Sequence, residues 1–290
     1  MGQSIKNWLV LLLIGLIWGS SFILMKKGLV VFTDTQVAAL RIGLAWLVTM
    51  PFLLSQLKDI SAKEWGVLLA AGLLGTGIPA FLFTAAQKHL DSAVVGMLNS
   101  MVPVLTMIVG ILVFGVRIRA LQAIGLVVGL FGALMLILPQ GISGFRWQAL
   151  LVVLASTCYA FNINIVKRYL QNLPSVLITA GAFLWVGPWC VVYLFFTDFT
   201  YRVQMPGGAF AFGAIALLAI VGTAIALLLF NALIQRAGSL FASLVTYIVP
   251  IFAVMWGYFD GEQILTIQII GVSVILLGVY LVSKMPKLDN

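Results

Sequence analysis

The side chains of this sequence that can do chemistry stand singly inside long apolar stretches. Trp18, Ser20 and Ser21 share one stretch, and Thr76, Asn99, Tyr159, Asn162, Thr223 and Tyr247 are spread over later ones. Amide and hydroxyl groups can hydrogen-bond a zwitterion or a hydroxyl, and the faces of Trp18 and Tyr159 can wall a site. These residues are the candidate substrate contacts. Taken alone, each such residue is more often a hydrogen bond between helices than a ligand contact. Arg41 is the one full charge well inside an apolar stretch. Such a charge can pair with a substrate carboxylate, or its long stem can carry it to an interface, and the sequence leaves both open.

Catalysis finds no support in the same inventory. An enzyme needs a nucleophile, a base or metal ligands that converge. The single histidine, His89, sits beside Lys88 in a polar break, and Cys158 and Cys190 are isolated with no ligand spacing. No cofactor or metal is expected. The formal charge of +8 comes from basic residues scattered between apolar runs, so no nucleic-acid-binding face is expected either.

The elements that position these groups follow from composition. Hydrophobic residues make up 63% and charged residues 8% of the 290, against roughly half and a quarter in soluble proteins. So few charges cannot cover a globule of this length, and the lipid bilayer must be the partner of most of its surface. Crossing the hydrocarbon takes about 20 mostly apolar residues. The sequence predicts ten such helices, at 7–28, 35–55, 64–87, 91–114, 120–139, 147–168, 174–196, 208–234, 239–259 and 265–283. Strict polar and apolar alternation is missing, which argues against a membrane barrel. The first stretch is too long for a signal-peptide core and is followed by Lys26 and Lys27, so it reads as a retained helix.

Loop charges set an orientation. Lys6, Lys58, Lys63, Arg117, Arg119, Lys167, Arg168, Arg236, Lys284 and Lys287 fall on one side, and Lys26, Lys27, Lys88, Arg146 and Arg202 on the other. Both termini are therefore expected in the cytoplasm.

The chain also repeats itself. A shift of 147 places Gly75, Thr76, Ile78, Leu82, Phe83, Ser92, Val102, Pro103 and Gly110 on Gly222, Thr223, Ile225, Leu229, Phe230, Ser239, Val249, Pro250 and Gly257. The two units are 7–139 and 147–283. Five helices per unit would insert the second in the opposite sense, giving two inverted five-helix repeats, an arrangement that places substrate near the midplane in many secondary transporters. Gly75, Pro103, Gly222 and Pro250 are then the candidate gating positions, because interrupted helices offer backbone groups and bend there. Gly125, Gly129 and Gly132 with Gly271 and Gly278 predict a close helix contact, either within one chain or in a homodimer.

These residues resemble the drug/metabolite transporter superfamily, in particular its members with two EamA domains. The run LIWGSSFILMKK around Trp18 is similar to that family's tryptophan-glycine start, and Gly261-Glu262 to the close of an EamA domain. Two departures mark the halves as unequal. Val116 stands where the second half has Glu262, and Arg41 has no basic counterpart in the seventh helix. The resemblance implies a transporter, commonly an exporter of amino acids, other metabolites or drugs across the cytoplasmic membrane. The carboxylates of the sequence sit at span ends, so the membrane-embedded acid typical of small multidrug antiporters is missing. A channel or a scaffold remains the alternative; no filter sequence or ring of charge points to a channel.

Overall fold

A computed structural model describes residues 2–54, 60–116, 120–138 and 145–283, and these contain helices and connecting turns but no strand. Lys58, Arg117, Arg119, Lys284 and Lys287, on which part of the orientation rests, lie outside the described residues. The helices are α1 (Gly2–Leu29), α2 (Asp34–Leu54), α3 (Ala62–Gly72), α4 (Ile78–Gln87), α5 (Ser92–Asn99), α6 (Val102–Phe114), α7 (Ala120–Ile137), α8 (Ala149–Tyr169), α9 (Ser175–Phe195), α10 (Phe199–Gln204), α11 (Gly208–Leu217), α12 (Ala226–Ser243), α13 (Val245–Phe259) and α14 (Thr266–Ser283). A π-helical segment, Leu73–Gly77, joins α3 to α4, and a second, Leu218–Ile225, joins α11 to α12.

Seven stretches among the described residues are long and apolar enough to cross a bilayer: Ile5–Leu29, Ala62–Gln87, Ser92–Phe114, Ala120–Ile137, Ala149–Tyr169, Ser175–Phe195 and Gly208–Phe230. Val245–Phe259 and Thr266–Leu281 are apolar but shorter. The chain is thus an all-α, multi-pass membrane protein.

Local chemistry explains where the helices start and stop. Ser61 and Glu64 form a reciprocal capping box that opens α3. The stretch Ser92–Phe114 is interrupted at Ser100–Met101, whose N–H groups bond three residues back to Met97 and Leu98. Pro103 follows as an early residue of α6; its ring crowds the turn before it and supplies no N–H, so the helix breaks in that turn. Pro250 lies inside α13, and the matching interruption falls at Leu244, between one and two turns ahead.

One boundary differs from the expected one. The sequence predicts a break between 234 and 239, whereas α12 runs unbroken to Ser243. In the first half the same junction carries Asp91, whose extended backbone opens α5. The second half has Gln235, Arg236 and Ala237, all good helix formers, followed by Gly238 where an Asp would start a new helix.

The glycine stripe is used inside the chain. α7 and α14 pack closely along their length. A Cβ on Gly132 would lie 2.7 Å from the Gly271 carbonyl oxygen, and one on Gly278 would lie 2.5 Å from the Gly129 backbone nitrogen. Only glycine permits that approach, the small-residue packing used where lipid offers no hydrophobic drive between helices.

Candidate functional site

Each π segment contains the repeated Gly-Thr pair, and each is covered by the helix that opens the other half. In α1, the Trp18 Nε1–H donates to the Gly222 carbonyl over 3.1 Å, and its ring lies 5.0 Å from that of Phe230. In α8, the Asn162 amide lies over Gly75, where a Cβ would come within 2.5 Å of Nδ2. A π turn leaves carbonyls without their ordinary partner four residues on, and Gly removes the side chain that would shield them. Trp18 reaches such a carbonyl directly. The Thr223 hydroxyl donates back to the Leu218 carbonyl, 3.2 Å and five residues away, inside its own π segment.

Arg41 points into this region and not toward an interface. Its Nε–H donates to Thr223 Oγ1 at 3.3 Å, its Nη1 reaches Met25 Sδ at 3.8 Å, and it lies beside the Tyr159 hydroxyl. Tyr159 stacks on Phe83, with ring centroids 5.7 Å apart. Trp18, Arg41, Tyr159 and Thr223 therefore form one cluster drawn from α1, α2, α8 and the second π segment. At the centre of a membrane helix a guanidinium costs about 2.5–3.5 kcal/mol on insertion scales, so one held among helices points to a functional role.

The other candidates divide. Asn162 and Asn99 each bury an amide oxygen with no partner among the described residues, a costly state that a bound donor would relieve. Ser21 is buried, donates to the Ile17 carbonyl, and sits 3.2 Å from where a Gly222 Cβ would be. Ser20 is tied within α1 and across to α13: it donates to the Leu16 carbonyl at 2.6 Å and accepts from Trp256 Nε1 at 2.8 Å. Thr76 is half-buried within the first π segment, and Tyr247 packs against the main core from α13. An apolar groove of about 390 Å³, lined by Leu73, Phe81, Trp185 and Trp189 among others, lies against α9 and does not include the cluster.

At one end of the bundle stands a second set of polar groups that sequence reasoning did not assemble. Lys26 pairs with Glu262 at 2.6 Å and with Asp260 at 2.7 Å, and Lys27 pairs with Asp260. Glu262 Oε1 also accepts from the Ser92 N–H and hydroxyl, and Oε2 accepts from the Ala93 N–H at 2.9 Å. The carboxylate thus caps α5, where its charge meets the helix dipole.

Local backbone places it there. After α13, Gly261 turns with φ of 80°, and the N–H groups of Gly261 and Glu262 close on the Tyr258 and Gly257 carbonyls, a glycine-terminated helix end. The first half keeps the turn at Gly115 but follows it with Val116. Burial works against ionisation of Glu262, yet Lys26, the Ala93 N–H and Ser92 hold it below the usual carboxylate range; Lys26 and Lys27 do the same for Asp260.

Two further ties sit at the same end. Lys88 pairs with Asp34, and Asp198 accepts from both Gln36 and Arg202. Every ion pair among the described residues is at this end. The available signal was topological, since a ten-span reading puts Lys26, the start of the fourth span and Glu262 on one side.

A family model described as the EamA-like transporter family matches residues 6–138 and again 146–284. The inner membrane transporter YedA of Escherichia coli K12, described as uncharacterized, is 27% identical over 273 residues, covering 92% of this chain and 87% of its own. The transporter YyaM of Bacillus subtilis 168, likewise described, is 25% identical over 304 residues, covering 99% and 98%. The biotin transporter of Escherichia coli K12 is 23% identical over 223 residues, covering 77% and 74%. A solved crystal structure 16% identical in sequence superposes with a TM-score of 0.64 over 95% of this chain and 96% of that one, so the fold is shared.

Proposed function

Because the chain belongs to the EamA-like transporter family, we propose that it is a secondary transporter that exports a small organic molecule across the cytoplasmic membrane by alternating access. The substrate binds at the cluster of Trp18, Arg41, Tyr159 and Thr223, with Asn162 and Asn99 as further contacts. Both termini lie in the cytoplasm, and ten spans form two inverted halves.

One observation carries this reading: the opening helix of each half covers the π segment of the other, through Trp18 on Gly222 and Asn162 on Gly75. The helix pairing supports it further. α1 packs on α13 as α8 packs on α6, while α2 pairs with α9 and α7 with α14. Exchanging the halves leaves that pattern unchanged, as inverted repeats require. Gly75, Gly222, Pro103 and Pro250 lie in or beside the interruptions, where a helix can bend as access alternates. The Lys26–Glu262 end is the closed, extracytoplasmic one, and its ion pairs must separate for release outward.

The test is transport by the reconstituted full chain in proteoliposomes, against a panel of amino acids, biotin and cationic drugs. Trp18→Ala and Asn99→Leu should each reduce transport of whichever compound moves by about tenfold, the equivalent of roughly 1.4 kcal/mol. Unchanged transport by both variants would refute the site, and a panel in which nothing moves would refute the function.

A further inference from the structure

Arg41 has no acidic partner among the described residues. The ion pairs among the described residues join Lys26 and Lys27 to Asp260 and Glu262, Lys88 to Asp34, and Arg202 to Asp198, and none involves Arg41. Its recorded neighbours are all neutral: the Thr223 hydroxyl at 3.3 Å, the Met25 thioether at 3.8 Å and the Tyr159 hydroxyl. A guanidinium offers five N–H donors in a planar fork. Three weak or neutral partners leave part of that fork unspent.

The position is built for a ligand and not for a structural pair. α2 brings Arg41 from the first half, and its Nε–H meets a π segment of the second half at Thr223. The hydrogen bond from Nε–H to Thr223 Oγ1 anchors one edge of the fork. The ninth helix, the counterpart of α2, contains no Lys or Arg, so the matching position of the second half adds no second cation. A planar fork held in this way matches a carboxylate, which it can engage through two parallel hydrogen bonds.

We infer that Arg41 is the specificity-determining residue of the transport site and selects substrates that carry a carboxylate. The inference rests on the transporter reading above and adds the chemical class of what is moved. The carboxylate bridges α2 of the first half to the second π segment, so the bound anion joins the two halves that must move together. Asn162 and Asn99, with their unpartnered buried amide oxygens, then accept hydrogen bonds from donor groups elsewhere on the same substrate.

The experiment uses the purified full chain with matched acids and amides: leucine and leucinamide, biotin and biotinamide, benzoate and benzamide. Binding is read by thermal stabilisation in chloride-free buffer, and transport by counterflow in proteoliposomes. At least one acid should bind about tenfold or more tightly than its amide. Arg41→Gln should erase that difference, and Arg41→Lys should restore part of it; size-exclusion profiles of both variants establish that they fold.

The inference is overturned if no acid binds, if amides bind as well as their acids, if Arg41→Gln keeps the preference, or if chloride alone occupies the site and abolishes acid binding. Counterflow of an amide without its acid would remove the carboxylate assignment and leave the transporter reading standing. No counterflow by any compound would remove both.

Discussion

Lys26 and Glu262, 236 positions apart in the chain, hold their charged groups 2.6 Å from each other. The Glu262 side chain is 2% exposed and the Lys26 side chain 34%, so the carboxylate is dry while the lysine stays partly in water. Three further hydrogen bonds, from Ser92 and Ala93, complete the Glu262 shell. A buried carboxylate is stable only when so surrounded. The pair therefore fastens the end of α1, the start of α5 and the turn after α13 into one joint, and whatever opens this end must break it.

Glu262→Gln keeps the shape and removes the charge. It leaves Lys26 with Asp260 alone and weakens the cap on α5. Charge-assisted hydrogen bonds contribute about 1.5–3 kcal/mol, so the variant should melt several degrees lower in detergent. It should also open more readily at this end. A cysteine placed at Leu90 on a background lacking Cys158 and Cys190 should react faster with maleimide when Gln replaces Glu262. Equal melting and equal labelling would mean that the joint carries no load.

The same joint should respond to acid. The carboxyls of Glu262 and Asp260 ionise at lower pH in the folded protein than in the unfolded chain. Their contribution is then fully present above the ordinary carboxylate range near pH 4 and is lost as pH falls through the depressed folded values. Melting temperature should stay flat from neutral pH down to about 5 and drop below about 4. The drop should be smaller in Glu262→Gln, which has lost one of the two titrating groups. A profile that instead rises on acidification would contradict this assignment.

What could be read in advance depended on whether the signal was local. The pairing of Gly75-Thr76 with Gly222-Thr223 was visible as a repeat, and both pairs sit in π segments. The direction of Arg41 was not, because its stem reaches either an interface or the interior, and only the packing of α1, α8 and the second π segment around it decides. Ser20 looked like Ser21 by position, yet Trp256 from α13 engages it, a contact no local pattern announces. The joint at Glu262 was half legible. Gly261-Glu262 stood out as a motif, but its partner Lys26 lies in the other half, and the ten-span reading puts the two on one side without pairing them. The unbroken α12 was missed because apolar pattern locates spans but not their junctions, where a single Asp or Gly decides whether a helix restarts.

The α7–α14 crossing gives a test that depends on backbone and not on any ionisable group. A Cβ on Gly278 would meet the Gly129 nitrogen at 2.5 Å, the Gly125 carbonyl oxygen at 2.7 Å and the Gly129 Cα at 2.7 Å. No rotamer change relieves contacts with main chain, so Gly278→Ala must push the two helices apart, at a cost of about 1–3 kcal/mol for overpacking. Gly213, on α11, has nothing within 4 Å of its Cβ position, and Gly213→Ala should be neutral or stabilise by about 0.5–1 kcal/mol through helix propensity. The comparison is made by thermal unfolding of both variants in the same detergent. Gly278→Ala should melt well below the parent and Gly213→Ala at or above it. If the two melt alike, α7 and α14 are not in the close contact described, and the glycine stripe serves a contact between chains instead.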